Sequence, residues 1–207
     1  MIKLYHITYI SNLPQIIADD YLFSDRFLLE QNKNHTIIGM SHIKQRRLTQ
    51  IEVTCHPGTM VGDYVPFYFC PRSVMLYAIY IKHSDLSYME GQENILHLVT
   101  TVGKILEIKP EKWAYSDGNA GAFYTRFYND ITKINEILDW KAINAVDWRD
   151  PAIKNAKQAE FLVYKKVPWK VFTAIGVFNE KVAKKVLKII KKSIHQPQIL
   201  IKPEWYY

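Results

Sequence analysis

Apolar residues recur along this chain at two spacings, one of a strand and one of a helix. Lys3 to Tyr9 alternate as a strand would, with His6 and Thr8 on one face and Tyr5 and Ile7 on the other. Ser11 or Asn12 then caps a short helix with Pro14 in its first turn and Leu13, Ile16 and Ile17 as its apolar stripe. A polar loop, Glu30 to Thr36, leads to Gly39-Met40-Ser41, where Ser41 is expected to cap a helix carrying Lys44, Arg46 and Arg47. The most apolar stretch, Tyr64 to Ile81, has the length of a short membrane span. Pro66, Pro71 and Arg72 interrupt it, so a buried strand, turn and helix is expected instead. Ile95 to Val99 and Ala159 to Tyr164 read as core strands, and Asp117 to Gly121 is the strongest turn signal. The last element is a helix from about Asn179 to Ser193. Val182, Ala183, Val186, Leu187 and Ile190 form its stripe, and Lys181, Lys184, Lys185, Lys188, Lys191 and Lys192 cover the other face. A solvated lysine face is preferred there over a nucleic-acid or membrane surface.

No internal repeat, low-complexity run or Gly/Ser/Pro linker divides the chain, so residues 1–207 are expected to form one domain. With 48% hydrophobic and 14% aromatic residues, the sequence is rich enough in apolar side chains to exclude disorder as its main state. The balance of 27 Lys and Arg against 20 Asp and Glu gives a net charge of +7, which favours polyanionic partners. Two cysteines, Cys55 and Cys70, make no disulfide framework, and no secretory leader opens the chain; a cytoplasmic location is expected, with no membrane role.

Familiar catalytic motifs are absent: no Walker or dinucleotide glycine loop, no His-Glu-x-x-His, no Gly-x-Ser-x-Gly. Cys55-His56 is the only Cys/His pairing and is a poor basis for a metal site, so no metal is expected. Isolated polar residues on apolar strands remain. Glu160, the only charge in Ala-Glu-Phe-Leu-Val-Tyr, either ends a strand in water or is held in a cleft by partners. His6 poses the same choice between a core histidine and a ligand. Arg46 and Arg47, taken alone, are an ordinary basic helix face.

Tyr5-His6-Ile7-Thr8, the Gly39 to Arg47 helix, the block from Asp63 to Tyr77, the Lys157 to Val163 strand and the closing Trp205-Tyr206-Tyr207 together resemble the DarT family of toxins, which ADP-ribosylate DNA using NAD⁺. The resemblance runs from about Tyr5 to the carboxy terminus. It implies an α+β ADP-ribosyltransferase fold, a split and mostly antiparallel sheet with peripheral helices, and NAD⁺ lying across the central cleft. It places His6 at the adenosine ribose of NAD⁺ and Glu160 at the nicotinamide ribose, counts Thr8 among the NAD⁺-binding residues, and gives Arg47, rather than Arg46, as the arginine that joins catalysis and binds NAD⁺. NAD⁺ is then consumed as substrate.

The acceptor the resemblance implies is a thymidine base in single-stranded DNA, with toxin as the biological role and a macrodomain antitoxin as partner. Surplus aromatic and basic residues agree with a stacking surface for unpaired bases. Arg72, Tyr124, Arg126, Trp148, Arg149 and Lys154 are the candidates for DNA contact. Rival readings keep the fold but act on RNA or protein, or reduce the chain to a binding module in which Glu160 is structural.

Overall fold

The computed structural model describes residues 1–207. Ten strands are β1 (Lys3–Tyr9), β2 (Tyr21–Phe23), β3 (Tyr64–Tyr68), β4 (Ile95–Thr101), β5 (Trp113–Asn119), β6 (Phe127–Tyr128), β7 (Ala159–Tyr164), β8 (Lys166–Pro168), β9 (Ala174–Val177) and β10 (Gln198–Ile201). The helices are α1 (Leu13–Asp19), α2 (Asp25–Glu30), α3 (Ser41–Thr49), α4 (Val74–Tyr80), α5 (Val102–Glu107), α6 (Ile134–Ile137), α7 (Trp140–Ile143), α8 (Pro151–Lys157) and α9 (Glu180–Ile190). Eight strands form one sheet in the order β10-β9-β4-β1-β3-β7-β5-β6, and β2 pairs with β8 in a separate ribbon. All pairings in the large sheet are antiparallel except β9 with β10. This is the mixed α+β architecture with peripheral helices that the resemblance implies.

The sheet is split at its centre. β1 runs in full register with β4, from Lys3 opposite Thr101 to Tyr9 opposite Ile95, but meets β3 at one paired position, Tyr5 opposite Tyr68. Beyond that point the two halves diverge. β3 continues the other half by pairing with β7 from Tyr64 opposite Tyr164 to Tyr68 opposite Glu160. Both halves are buried on both faces, which is why β4 and β7 read as nearly continuous apolar runs. One face carries the main core, with Leu4, Phe67, Leu98, Phe161 and Trp169 packed against the buried stripe of α9. The other carries a smaller cluster in which Ile7 and Ile95 meet Leu76 and Ile79 of α4 and Tyr206.

Four local expectations are corrected. Asn12 precedes α1 but makes no capping bond, because its amide is used on Thr8 and on both backbone groups of Thr36. α3 starts at Ser41 itself, with Met40 at the cap position and no side-chain cap. The Asp117-Gly118 turn signal lies inside β5, which carries an irregularity between Tyr115 and Asn119 and turns only afterwards. A side chain at Gly118 would meet Asn155 of α8 at 2.4 Å, so glycine serves a close approach there rather than a reversal. Leu187 of α9 is exposed; the core stripe is Val182, Ala183, Val186 and Ile190, capped by Asn179 through a bond from Val182 N–H.

His97, wholly buried on β4 among Tyr5, Trp205 and Tyr206, has one ring nitrogen on the Pro71 carbonyl at 3.0 Å and the other without a partner. Burial lowers its pKa from 6.5 to about 4. The unfolded chain therefore takes up a proton near pH 6.5 that the native protein refuses, and stability falls as pH drops from about 6.5 towards 4. Urea unfolding between pH 7 and 5, above the carboxylate range, is expected to show this decline. His97→Gln is expected to flatten it, with the residual slope coming from His6 and His35, whose pKa values burial also lowers.

Candidate active site

The cleft at the split is about 300 Å³ and is lined by β1, α1, α3, the 34–40 loop, β3, α4 and the start of β7. Glu160, the second residue of β7, lies 3% exposed at its floor. Its backbone N–H donates to Ser116 Oγ of β5 at 2.9 Å, fixing the strand end that presents the carboxylate. Arg47 reaches it from α3 in a fork: Nη1 donates to Oε1 and Nη2 to Oε2, each at 2.8 Å. Burial works against the guanidinium's charge, but the neighbouring carboxylate outweighs it and raises the Arg47 pKa above its ordinary value.

Why Arg47 rather than Arg46 faces the cleft follows from how α3 is seated. Leu48, the next residue, is buried against Gly62, where any side chain would come within 2.6 Å of Leu48 Cδ2. Arg26 of α2 ties this contact down by donating to the Leu48 carbonyl and pairing with Asp63. Arg46 then points away from Glu160, its guanidinium 5.9 Å from the Phe123 ring and its Nε buried without a partner.

His6 and Thr8 stand on the β1 face that lines the cleft. The His6 Nδ1 lies 2.8 Å from the Pro66 carbonyl, bridging the split. Burial lowers the His6 pKa, so the ring is neutral at neutral pH; Nδ1 then carries the proton and Nε2 is an acceptor. Thr8 Oγ1 accepts from Asn12 Nδ2 at 3.1 Å, and Asn12 holds the 34–40 loop over the same wall through Thr36. The cleft thus gathers His6, Thr8, Arg47 and Glu160 from widely separated parts of the chain.

Residues the pattern did not single out join them. Tyr68 lies across the strand pair from Glu160, and burial raises its pKa. Asn119, Gln158 and Lys44 also line the cleft, with Lys44 Nζ 3.0 Å from Asp25. Tyr68 sits in the quoted Asp63 to Tyr77 block, yet nothing in an aromatic strand marks one ring as facing a cleft.

None of the six candidate DNA contacts lines this cleft. Arg72 and Trp148 line a second cavity, and Lys154 lies 5.8 Å from the Trp148 ring. Tyr124, 74% exposed, and Arg126 lie on the β5–β6 loop, where Phe123 is 71% exposed. Arg149 is exposed and paired with Asp147 at 2.6 Å. No His, Cys, Asp and Glu cluster has a metal-holding arrangement, and no helix is long and apolar enough to cross a membrane.

The family model described as ssDNA thymidine ADP-ribosyltransferase, DarT, matches residues 5–207. The chain belongs to the DarT family. A curated relative from Thermus sp. (strain 2.9), a DNA ADP-ribosyl transferase, is 38% identical over 207 residues, spanning 99% of this chain and 95% of that protein. Among solved structures, Thermus sp. 2.9 DarT in complex with ADP-ribosylated ssDNA superposes with a TM-score of 0.92 at 37% identity, covering 100% of this chain and 96% of that one. The same protein in complex with NAD⁺ gives 0.85 at 35% identity, with 100% and 98% covered. A DNA ADP-ribosyl transferase-DNA ADP-ribosyl glycohydrolase fusion protein from Thermosipho africanus is 26% identical over 208 residues, spanning 98% of this chain and 48% of that longer protein. This DarT-family chain is an NAD-dependent DNA ADP-ribosyltransferase.

The Arg47–Glu160 pair is a buried ion pair at the site. Removing one partner strands the other charge in a poorly solvated position, whereas replacing both with apolar groups does not. Arg47→Ala is expected to cost about 3 kcal/mol in urea unfolding, and Arg46→Ala only about 1 kcal/mol, from its contact with Phe123. The double variant Arg47→Met, Glu160→Leu is expected to recover most of the loss. Equal losses at Arg46 and Arg47 would contradict the seating of α3.

Proposed function

We propose that this chain transfers ADP-ribose from NAD⁺ to N3 of a thymine in single-stranded DNA, with Glu160 and Arg47 catalytic and His6, Thr8 and Arg47 holding the dinucleotide. The observation that carries this reading is the forked, buried Arg47–Glu160 pair at the floor of a cleft whose opposite wall presents a neutral histidine. A carboxylate has about four lone-pair sites, so two remain on Glu160 after Arg47 has taken one on each oxygen. Arg47 likewise keeps N–H groups beyond the two used in the fork, and these suit a phosphate of the dinucleotide. His6 Nε2 accepts from an adenosine ribose hydroxyl, and Thr8 supports the same wall.

The chemistry is a substitution at C1′ of the nicotinamide ribose. The glycosidic C1′–N bond breaks, and its electron pair neutralises the pyridinium ring, which leaves as nicotinamide. Positive charge develops on the ribose and is met by the Glu160 carboxylate, held in place before the reaction begins. Thymine N3 then bonds to C1′ and its proton passes to Glu160. A protonated N3 is a poor nucleophile, so a general base is required, and this carboxylate is the one the cleft floor supplies.

Single-stranded DNA suits this surface. The net charge of +7 attracts phosphates. Exposed Tyr124 and Phe123, with Arg126, extend from the end of β5, whose Asn119 lines the cleft, and so offer rings to unpaired bases beside the reacting centre. Arg72, Trp148, Lys154 and Arg149 lie further along as contacts for the strand. The proposed biological role is a toxin in the cytoplasm, countered by a macrodomain antitoxin that removes ADP-ribose. The relative that carries transferase and glycohydrolase in one chain supports that pairing.

Glu160→Gln keeps the shape but removes charge and basicity. Leaving Arg47 without its counter-charge, it is expected to lose stability on the scale of Arg47→Ala yet still to fold and bind NAD⁺, while losing roughly 10² to 10⁴ in DNA modification rate, read by intact mass of a short oligonucleotide. Arg47→Ala is expected to lose roughly 10² to 10³. A folded, NAD⁺-binding Glu160→Gln variant modifying DNA at near wild-type rate would falsify the assignment.

Single-stranded oligonucleotides are expected to be modified in preference to the matched duplex, because pairing occupies thymine N3 and opening it costs a few kcal/mol. Equal modification of both at matched salt would point away from the base as acceptor.

A further inference from the structure

Six of the chain's 27 Lys and Arg residues fall between positions 181 and 192, and none of its 20 Asp and Glu does. The rest of the chain carries 21 cations against 20 anions, a net charge of +1, so nearly all of the molecule's excess charge sits on one helix and the turn after it. Lys181, Lys184, Lys185 and Lys188 lie on α9, and Lys191 and Lys192 follow it directly. All six are exposed, and none belongs to an ion pair. With 3.6 residues to a turn, the four on α9 fall within about 100° of arc, opposite the buried stripe of Val182, Ala183, Val186 and Ile190.

A solvated helix face ordinarily mixes lysine with glutamate at i,i+4, because like charges at that spacing repel. α9 does the reverse. Lys181–Lys185, Lys184–Lys188 and Lys188–Lys192 are like pairs at i,i+4, and Lys181–Lys184, Lys185–Lys188 and Lys188–Lys191 are like pairs at i,i+3. Each is destabilising, and the nearest acids along the chain are Glu180 in the first turn and Glu204 far beyond the last. A row of unpaired cations on a rigid element fits a polyanion whose charges are also in a row. A lipid surface fits less well, because the apolar stripe of α9 is already spent in the core and only Leu187 of the helix is exposed beside the lysines.

The face is separate from the catalytic cleft. α9 packs on β9, β10 and α1, at the edge of the sheet opposite β5 and β6. α1 also lines the cleft, through Gln15, Ile16 and Asp19. The lysines therefore begin at least one helix diameter, about 10 Å, beyond the cleft wall. A nucleotide seated at Glu160 does not touch them, whereas a strand long enough to pass α1 does.

We propose that the lysine face of α9 holds the sugar-phosphate backbone of DNA outside the cleft, so that long strands stay bound while thymines are presented to Glu160. Lysines act there as point charges and read no sequence. This rests on the reading that single-stranded DNA is the acceptor. It assigns the net charge of the molecule to a second contact surface, remote from the reacting base.

The test compares two single strands carrying the same central thymine, one of about 6 nucleotides, enough for a single-strand groove, and one of about 30. The variant Lys181→Gln, Lys184→Gln, Lys185→Gln, Lys188→Gln loses four charges and the repulsion between them, so it is expected to bind NAD⁺ like the wild type and to melt no lower. On the long strand it is expected to lose about 3 from the slope of log affinity against log salt, at about 0.7 per lysine, and at least about tenfold in kcat/KM at low salt. On the short strand both quantities are expected to match the wild type, and Lys→Arg at the same four positions is expected to match it on both strands. A glutamine variant equal to wild type on the long strand, or weakened equally on both, would overturn the proposal while leaving the transfer reaction standing. Wild type that sediments with phosphatidylserine vesicles, with the long-strand kinetics of the glutamine variant unchanged, would give the face to a membrane instead. Wild type that modifies neither strand would overturn the reading of the acceptor, and this surface with it.

Discussion

One buried ion pair ties an early helix of this molecule to a late strand at the floor of its cleft. Arg47 and Glu160 lie 113 positions apart, on an early helix and a late strand. Their fork closes the cleft floor only because Gly62, Leu48 and Arg26 seat α3 and Ser116 fixes the start of β7. Burial makes the pair costly to break, and in the proposed reaction the same burial makes its carboxylate useful: a charge held in place beforehand meets a developing cation without reorganising. Under the proposed assignment, stability and catalysis draw on the same two side chains.

The split in the sheet gives the pair something to act on. β1 and β3 touch at Tyr5 and Tyr68 and then part, while the His6 Nδ1–Pro66 bond keeps the two walls at a fixed separation. A neutral histidine on one wall and an anchored carboxylate at the floor give the cleft a fixed direction. The proposed reaction uses that direction, with His6 at one ribose of the dinucleotide and Glu160 at the other.

How far the sequence revealed this varies from element to element. β1, β7 and α9 were legible because each carries an apolar period, and α4 follows Tyr64 to Tyr68 through a turn that contains Pro71, while Pro66 stays within the strand. The start of α3 was not, since its cap position is a methionine and its stripe is weak; the helix is held by contacts from α2 and the turn before β3, which no local window contains. Asn12 misled for a related reason, as a residue suited to capping was taken by a distant loop. In the site, Glu160 and His6 stood out as polar residues on apolar strands, whereas the choice of Arg47 over Arg46 came from the family resemblance and acquired a physical reason only in the packing of Leu48 on Gly62. Tyr68 gave no signal, because a tyrosine in an aromatic strand is ordinary until its surroundings are known.

The central claim is that Glu160 takes the proton from N3 of an unpaired thymine as ADP-ribose arrives. Intact mass of a single-thymine strand, compared with the same strand carrying N3-methylthymine, tests it most directly. The account predicts one ADP-ribose added to the first in the presence of NAD⁺ and none to the second, with nicotinamide released in step with the product. Equal addition to both strands would contradict it, since the acceptor would then be an atom other than thymine N3.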